Sequence, residues 1–266
     1  MDNGTAFTLL VTDIKGTIVA QSEAAPKATL TFDRAYQPGD RLVLLASRWP
    51  VAVRLSLDGH LPPALVYLTA DRLEYPVPVG EPALAYPPEA FGAGRHTLTA
   101  EPADPGEWRA HRNLSLNPLD RRGETAYYPH CIANVETRDE SVFAARNTID
   151  GVTENNCHGE WPYQSWGDDE NPHAEITIQF GRRVRVDKAV IHLRADFPHD
   201  NYWREVTLLF SDGSQLTTPL RKTAEEQTVS FEPRAVEWVK LTRLIKSEEE
   251  SPFPALTQWA IYGTEA

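Results

Sequence analysis

The stretches A-E-I-T-I-Q-F-G at residues 174–181 and V-D-K-A-V-I-H-L-R-A at residues 186–195 decide the fold of this chain. Both are short and rich in β-branched residues, and apolar positions alternate with polar ones along much of each stretch. Four more stretches of this kind follow along the chain: 205–214, 227–233, 236–244 and 257–263. Six strands with hairpin-like turns and almost no helix predict an antiparallel sandwich for the second half.

The first half shows the same kind of pattern with shorter stretches. V-A-V-R-L-S-L-D-G-H at residues 51–60 alternates apolar and polar side chains and ends in an Asp-Gly turn, which predicts a half-buried strand. The prolines between residues 60 and 90 exclude a helix over most of that segment. We therefore predict an all-β protein of two β-sandwich domains, residues 1–111 and 112–266, and the role of the first domain is left unassigned.

Charge and hydropathy narrow the range of partners. The chain has 266 residues and a formal net charge of -12. Residues 1–112 carry 10 basic and 13 acidic residues, a balance of -3, so the remainder carries 16 against 25, a balance of -9. Because phosphate binding needs basic patches, this acidity argues against nucleic acid. No apolar run approaches the roughly 18 residues that a membrane-spanning helix needs.

The start of the chain and its cysteines bear on location. M-D-N-G-T-A-F-T-L-L-V-T-D at residues 1–13 lacks a basic region followed by a long apolar region, so no signal peptide is expected. This predicts a cytoplasmic protein, with export by a route not visible in the sequence left open. Cys131 and Cys157 are the two cysteines, and free thiols in a reducing compartment are the simpler interpretation, with a single bridge left open.

Two polar, aromatic-rich segments of the second half carry the functional signal. They are C-H-G-E-W-P-Y-Q-S-W-G-D-D-E-N-P-H at 157–173 and R-A-D-F-P-H-D-N-Y-W at 194–203, and their Pro and Gly content predicts loops between strands. Aromatic rings beside hydrogen-bonding side chains suit a sugar, since rings stack on C–H faces and polar groups bind hydroxyls. The candidate ligand-binding residues are His158, Glu160, Trp161, Arg194, Asp196, His199, Asp200 and Trp203.

The order of motifs from residue 112 to residue 266 resembles the discoidin or coagulation-factor C-type domain. This is the galactose-binding-like jelly roll that also forms many bacterial carbohydrate-binding modules. The motifs that carry the resemblance are R-N-L-S-L-N at 112–117, F-A-A-R-N-T-I-D-G-V-T-E-N at 143–155, the two stretches that begin at 174 and 186, L-L-F-S-D-G-S at 208–214 and T-Q-W-A-I-Y-G at 257–263. The resemblance implies a jelly roll for the second domain and sugar binding on loops at one end of it, with Arg194 matching the family's sugar-contacting arginine.

The resemblance also implies a structural calcium in the loop after the short helix. Asp150, Thr153 and Asn155 stand where that loop supplies oxygen ligands, which are the ligands that calcium requires. Gln258 stands where the family has a Glu in the last strand, so the anionic ligand count is lower here. The alternative is that Asp150 only caps a turn.

The predicted function is non-catalytic binding of a carbohydrate through the loops of the second domain. Two alternatives stay open: a glycan-active hydrolase or lyase that uses acidic and histidine residues of the same loops, and a protein-interaction module. Zinc chemistry at His130, His158 and His199 is also conceivable from residue type, but their spacing matches no compact metal motif. The identity of the sugar and the oligomeric state are not predicted.

Overall fold

The structure is a computed structural model that describes residues 4–266. Residues 1–3, which belong to the predicted first domain and to the segment considered for a signal peptide, lie outside the described residues. The strands up to residue 102 are β1 Phe7–Thr12, β2 Ile18–Gln21, β3 Ala28–Asp33, β4 Arg41–Ala46, β5 Val51–Ser56, β6 Ala64–Leu68, β7 Arg72–Pro76 and β8 Arg95–Pro102. The later strands are β9 Arg112–Asn113, β10 Tyr127–Tyr128, β11 His130–Ala133, β12 Trp166–Gly167, β13 Ile176–Leu193, β14 Trp203–Phe210, β15 Gln215–Pro219, β16 Gln227–Lys246 and β17 Ala255–Glu265. Helical structure is limited to α1 Pro105–Arg109 and to the short 3-10 segments Glu81–Ala85, Thr137–Asp139, Ser141–Phe143 and Ala145–Ile149.

The first compact unit is built from two antiparallel sheets. One has the order β2-β1-β4-β7 and the other the order β10-β6-β5-β8-β3. Strand β5 is half-buried as the alternating pattern predicts, with Val53 and Leu55 buried and Arg54 and Ser56 partly exposed. The all-β character and the sandwich arrangement predicted for this half are confirmed.

The division between the units is less simple than one boundary in sequence. The first unit ends at Arg109 and also includes Glu124–Tyr128, whereas the second consists of Ala110–Gly123 and Pro129–Ala266. The returning segment belongs to the first unit because Tyr127 and Tyr128 pair with β6 and the Tyr127 side chain is buried. A linear pattern cannot show that five residues leave one unit and join the other.

The second compact unit contains an antiparallel sheet whose inward-facing side chains form the core of the unit. Its strands follow the order β12-β17-β13-β16-β14-β15, with β11 paired to β13 and β9 paired to β17. Strands β13 and β16 each join two of the stretches predicted as separate strands, and their mutual register shifts twice, between Gln179 and Val184 and between Val186 and Lys188. Such bulges bend a strand and increase its twist, which lets a long strand pass around a sandwich.

The core of the second unit explains why this part of the chain folds as it does. Its sheet residues alternate inward and outward, and buried side chains such as Ile176, Ile178 and Phe180 lie on the inward face. Three tryptophans, Trp166, Trp203 and Trp259, are also part of this core. Among the described residues, no helix is long and apolar enough to cross a membrane.

Candidate functional site

The two polar loops of the second unit meet at one place. The first loop precedes β12 and carries His158, and the second connects β13 to β14 and carries Asp196 and His199. Nδ1 of His158 lies 2.6 Å from Oδ2 of Asp196, and the rings of the two histidines stack with centroids 4.2 Å apart and planes within 7°. We call these three residues the histidine cluster. The resemblance to the jelly roll implies loops at one end of the unit, and these two loops lie in contact.

A third loop, between β16 and β17, adds an aromatic ring. The Phe253 ring lies parallel to the His199 ring, with centroids 5.4 Å apart, and 44% of Phe253 is exposed. The loop is tied to the second one by bonds from the Asn201 side-chain amide to the carbonyls of Glu249 (3.1 Å) and Ser251 (2.6 Å). His158, His199 and Phe253 therefore form a row of three nearly parallel rings, with polar atoms beside an exposed apolar ring.

The sequence analysis missed Phe253. Phe253 is not among the candidate ligand-binding residues named from the sequence. An apolar ring flanked by prolines in P-F-P-A at residues 252–255, outside any periodic pattern, is the signal that could have found it.

A buried ion pair lies behind the histidine cluster. Nε and Nη2 of Arg194 donate to the Asp200 carboxylate at 2.9 and 2.6 Å, and both residues are buried, Asp200 to 0% exposure. The same carboxylate accepts the backbone N–H of Asp196 at 3.0 Å and lies 3.0 Å from Nδ1 of His199. One buried carboxylate thus positions two of the three cluster residues.

This arrangement corrects two of the predicted ligand contacts. Arg194 was expected to contact sugar, but its guanidinium is buried against Asp200 and also donates to Oγ of Ser165 at 3.3 Å. Asp200 was expected to bind hydroxyls, but its oxygens are occupied by protein donors inside the fold. Both residues support the site from behind, because a buried charge is stable only when it is paired and hydrogen-bonded.

Trp203 is a further correction. It was predicted to lie in the loop as a stacking platform, but it begins β14 and only 2% of it is exposed. Its ring packs near that of Trp166, with centroids 5.9 Å apart, and its indole N–H donates to Oδ2 of Asp168 at 3.2 Å. A side chain at this depth cannot stack on a ligand, so Trp203 is a core residue.

Asp168, the acceptor of that indole bond, titrates abnormally. Burial raises its pKa from 3.8 to about 6, while the bond from the backbone of Glu170 and the bond from Trp203 oppose the rise. The positive charge of Lys246 also favours the charged form, but the loss of water around the carboxylate outweighs that attraction and the hydrogen bonds.

The remaining predicted ligand residues lie in the first loop. Glu160 is exposed, and its backbone carbonyl accepts the N–H of Tyr163 at 2.9 Å in a tight turn. Trp161 is partly exposed, and its stacking role stays a prediction. His130 is not part of the site, because it is buried elsewhere in the unit with Nδ1 2.7 Å from Oδ1 of Asp120.

The residues expected to hold calcium do not fit that ion as they are arranged. Asp150 is buried, and it accepts hydrogen bonds from the side-chain amides of Gln258 at 2.7 Å and Gln164 at 2.8 Å. The Arg146 guanidinium also lies 3.8 Å from its carboxylate. Nitrogen donors therefore surround the oxygens that a calcium ion would use, and these donors repel a cation.

The other two expected calcium ligands lie in the loop after Asp150. Asn155 donates through its amide to the carbonyls of Leu193 at 2.9 Å and Ala224 at 2.8 Å, so it connects loops. Thr153 is exposed. Burial raises the pKa of Asp150, which indicates that its surroundings disfavour the charged carboxylate despite these donors.

The two cysteines do not form a disulfide bond. Cys131 is buried, Cys157 is exposed, and both are free thiols. Burial raises the pKa of the Cys131 thiol, which makes it unreactive.

No protein-family model and no curated protein sequence matches the chain. Several solved structures do. Chitosan-binding module 1 of a chitosanase/glucanase from Paenibacillus sp. IK-5 is 17% identical, with 57% of this chain and 100% of the module covered and a TM-score of 0.41. A Clostridium perfringens module solved with GalNAc-β-1,3-galactose is 17% identical, with 50% of this chain and 94% of that chain covered and a TM-score of 0.39. A Streptococcus pneumoniae fucose-binding module is 12% identical, with 58% of this chain and 99% of that chain covered and a TM-score of 0.40. The chain is thus similar to carbohydrate-binding modules over about half its length, and its β-sandwich fold is established by the strand order and pairing described above.

Proposed function

We propose that the second unit binds a carbohydrate at the histidine cluster and Phe253. The observation that carries this proposal is the row of three nearly parallel rings at the meeting point of three loops, with the Asp196 carboxylate at its edge. A sugar offers an apolar C–H face and a rim of hydroxyls, and this surface offers an exposed apolar ring beside nitrogen and oxygen groups.

The side chains divide the recognition between them. Phe253, with Trp161 from the first loop, supplies faces for stacking, and His158, His199 and Asp196 supply donors and acceptors for hydroxyls. These residues are partly exposed, so a ligand reaches them without a conformational change.

The buried support favours a site that is formed before the ligand arrives. Asp200 fixes the backbone of Asp196 and the ring of His199, and Arg194 neutralises Asp200. Preorganisation reduces the entropy lost on binding, but two stacking rings and a few polar contacts still give modest affinity. The net charge of -12 supports a sugar rather than nucleic acid as the ligand.

A glycan screen with two matched variants tests the proposal. Phe253→Ala removes the exposed ring of the site, and Trp49→Ala removes a ring that is 52% exposed in the first unit. We expect the wild-type protein to bind a subset of glycans, Phe253→Ala to lose about fivefold in affinity, and Trp49→Ala to lose nothing, since a stacked ring contributes about 1 kcal/mol.

Two outcomes would overturn the proposal: no binding by folded protein to any glycan, or equal loss in both variants. Release of cleaved products during the screen would instead identify a glycan-active enzyme. The screen includes chitosan oligosaccharides, galactosides and fucosides as probes.

A further inference from the structure

The histidine cluster brings together three side chains of the kind that bind transition metals. A ring nitrogen of His158, a ring nitrogen of His199 and a carboxylate oxygen of Asp196 all lie within 4.8 Å of one another. Two ligands bound at about 2.0–2.2 Å to the same ion lie roughly 3–4 Å apart. The three groups are therefore near enough to share an ion, once the histidine rings turn out of their stacked arrangement.

The surroundings of His199 match those of a metal-binding histidine. Nδ1 of His199 faces the Asp200 carboxylate at 3.0 Å, so Nδ1 carries the proton and Nε2 keeps its lone pair for a ligand. Asp200 is itself held by Arg194 and is fully buried. A carboxylate that orients a histidine from behind is the usual second layer of a metal site, and here it is present without being a ligand itself.

The three side chains are exposed to solvent, so a metal ion can reach them. The side chains of His158, Asp196 and His199 are exposed to 40%, 28% and 43% respectively. Two imidazoles and one carboxylate favour zinc, copper or nickel over calcium or magnesium, which prefer oxygen-only sites.

We propose that His158, Asp196 and His199 bind a divalent transition metal, with zinc as the experimental probe. Three protein ligands leave a coordination position open to water or to an exogenous oxygen. The inference rests on these three residues and not on the proposed sugar binding, although both use the same surface. An ion here would occupy the nitrogen atoms assigned to sugar hydroxyls, so zinc and sugar are expected to compete.

Calorimetric titration with zinc, in the absence of sugar, tests the proposal. All proteins carry Cys157→Ser, because the exposed Cys157 thiol adjoins His158 in sequence and could bind zinc by itself. We expect one zinc per chain in this background, and an affinity at least tenfold lower after His199→Gln or Asp196→Asn. The matched control is His173→Gln, an exposed histidine outside the cluster, which should leave the affinity unchanged.

Two results would contradict zinc binding at the histidine cluster. Failure of the Cys157→Ser protein to bind zinc, or equal affinities in cluster and control variants that give the same circular dichroism spectrum, would overturn the proposal. Sugar titrations are carried out with a chelator that removes zinc. Their result therefore depends only on sugar binding, so either proposal can fail without the other.

Discussion

At the scale of single residues, burial decides the role of a polar side chain more than its chemical type does. Asp196 and Asp200 are four positions apart in one loop, but Asp196 is partly exposed and Asp200 is fully buried. The first can meet a ligand, whereas the second must be satisfied by the protein. Sequence composition assigned both to the ligand because it contains no information on depth.

Asp168 gives a residue-scale prediction of pH dependence. Its pKa is raised by burial from 3.8 to about 6 in the folded protein, so the folded state binds the proton more tightly than the unfolded state. The resulting stabilisation is fully present below pH 4 and is lost as the pH rises through 6. Asp168→Asn removes this dependence, so the variant should gain on the order of 2 kcal/mol relative to wild type between pH 4 and pH 7.

Urea unfolding at several pH values measures this difference. Asp169→Asn, which removes an exposed neighbouring carboxylate, is the control and should follow the wild-type curve. Parallel stability curves for Asp168→Asn and wild type would show that the Asp168 carboxylate does not carry the effect.

Gln258 gives a second residue-scale prediction. Its amide nitrogen donates to Asp150 and to the carbonyl of Asn147, at 2.7 and 2.6 Å. Gln258→Glu replaces that donor with a second carboxylate, so we expect a loss of about 3 kcal/mol in chelator from repulsion and unmade hydrogen bonds. Calcium should restore part of the loss in the variant, because two carboxylates and a carbonyl are ligands it prefers.

Thermal unfolding with calcium and with chelator measures both effects. The wild-type protein is the control, and its midpoint should not respond to calcium. A rise in the wild-type midpoint on addition of calcium would mean that the ion displaces the amide donors around Asp150. It would contradict the conclusion that these residues do not fit calcium.

At the scale of elements, the site depends on how the loop between β13 and β14 is anchored. Asp200→Asn leaves the Arg194 guanidinium buried without its counter-charge and loosens the backbone of Asp196. We expect a loss of about 3–5 kcal/mol, the usual effect of breaking a buried ion pair from one side.

An exposed ion pair on the neighbouring loop provides the control for chemical denaturation. Lys222 and Glu249 pair at 2.7 Å with both side chains more than a third exposed, so Glu249→Gln should cost less than about 1 kcal/mol. Equal losses in the two variants would contradict the anchoring role of Asp200.

The elements also show what the sequence could and could not predict. Apolar alternation located the strands, because a sheet with one buried face imposes a period of two. The same alternation did not show that β13 and β16 continue through bulges, since a bulge depends on the partner strand. Trp203 was misplaced for a related reason: the flanking polar residues concealed the point at which β14 begins.

At the scale of the whole molecule, two all-β units differ in what their surfaces offer. The composition of two loops predicted a ligand site on the second unit, and in the structure His158 of the first loop lies against Asp196 and His199 of the second. The proline-flanked ring of Phe253 was overlooked, and its place beside His199 depends on a third loop that only the folded sheet brings to the cluster. The first unit also exposes an aromatic ring, that of Trp49. The place where a sugar binds must therefore be measured on the chain that contains both units.

Mapping by nuclear magnetic resonance shows whether a sugar binds at the histidine cluster and Phe253. The full-length protein is titrated with a glycan selected in the screen, and the backbone amide shifts are followed along the chain. The account predicts that the largest changes fall within residues 157–163, 194–202 and 247–254, with the amides around Trp49 unchanged. Changes centred in the first unit, or on a different edge of the second, would contradict it.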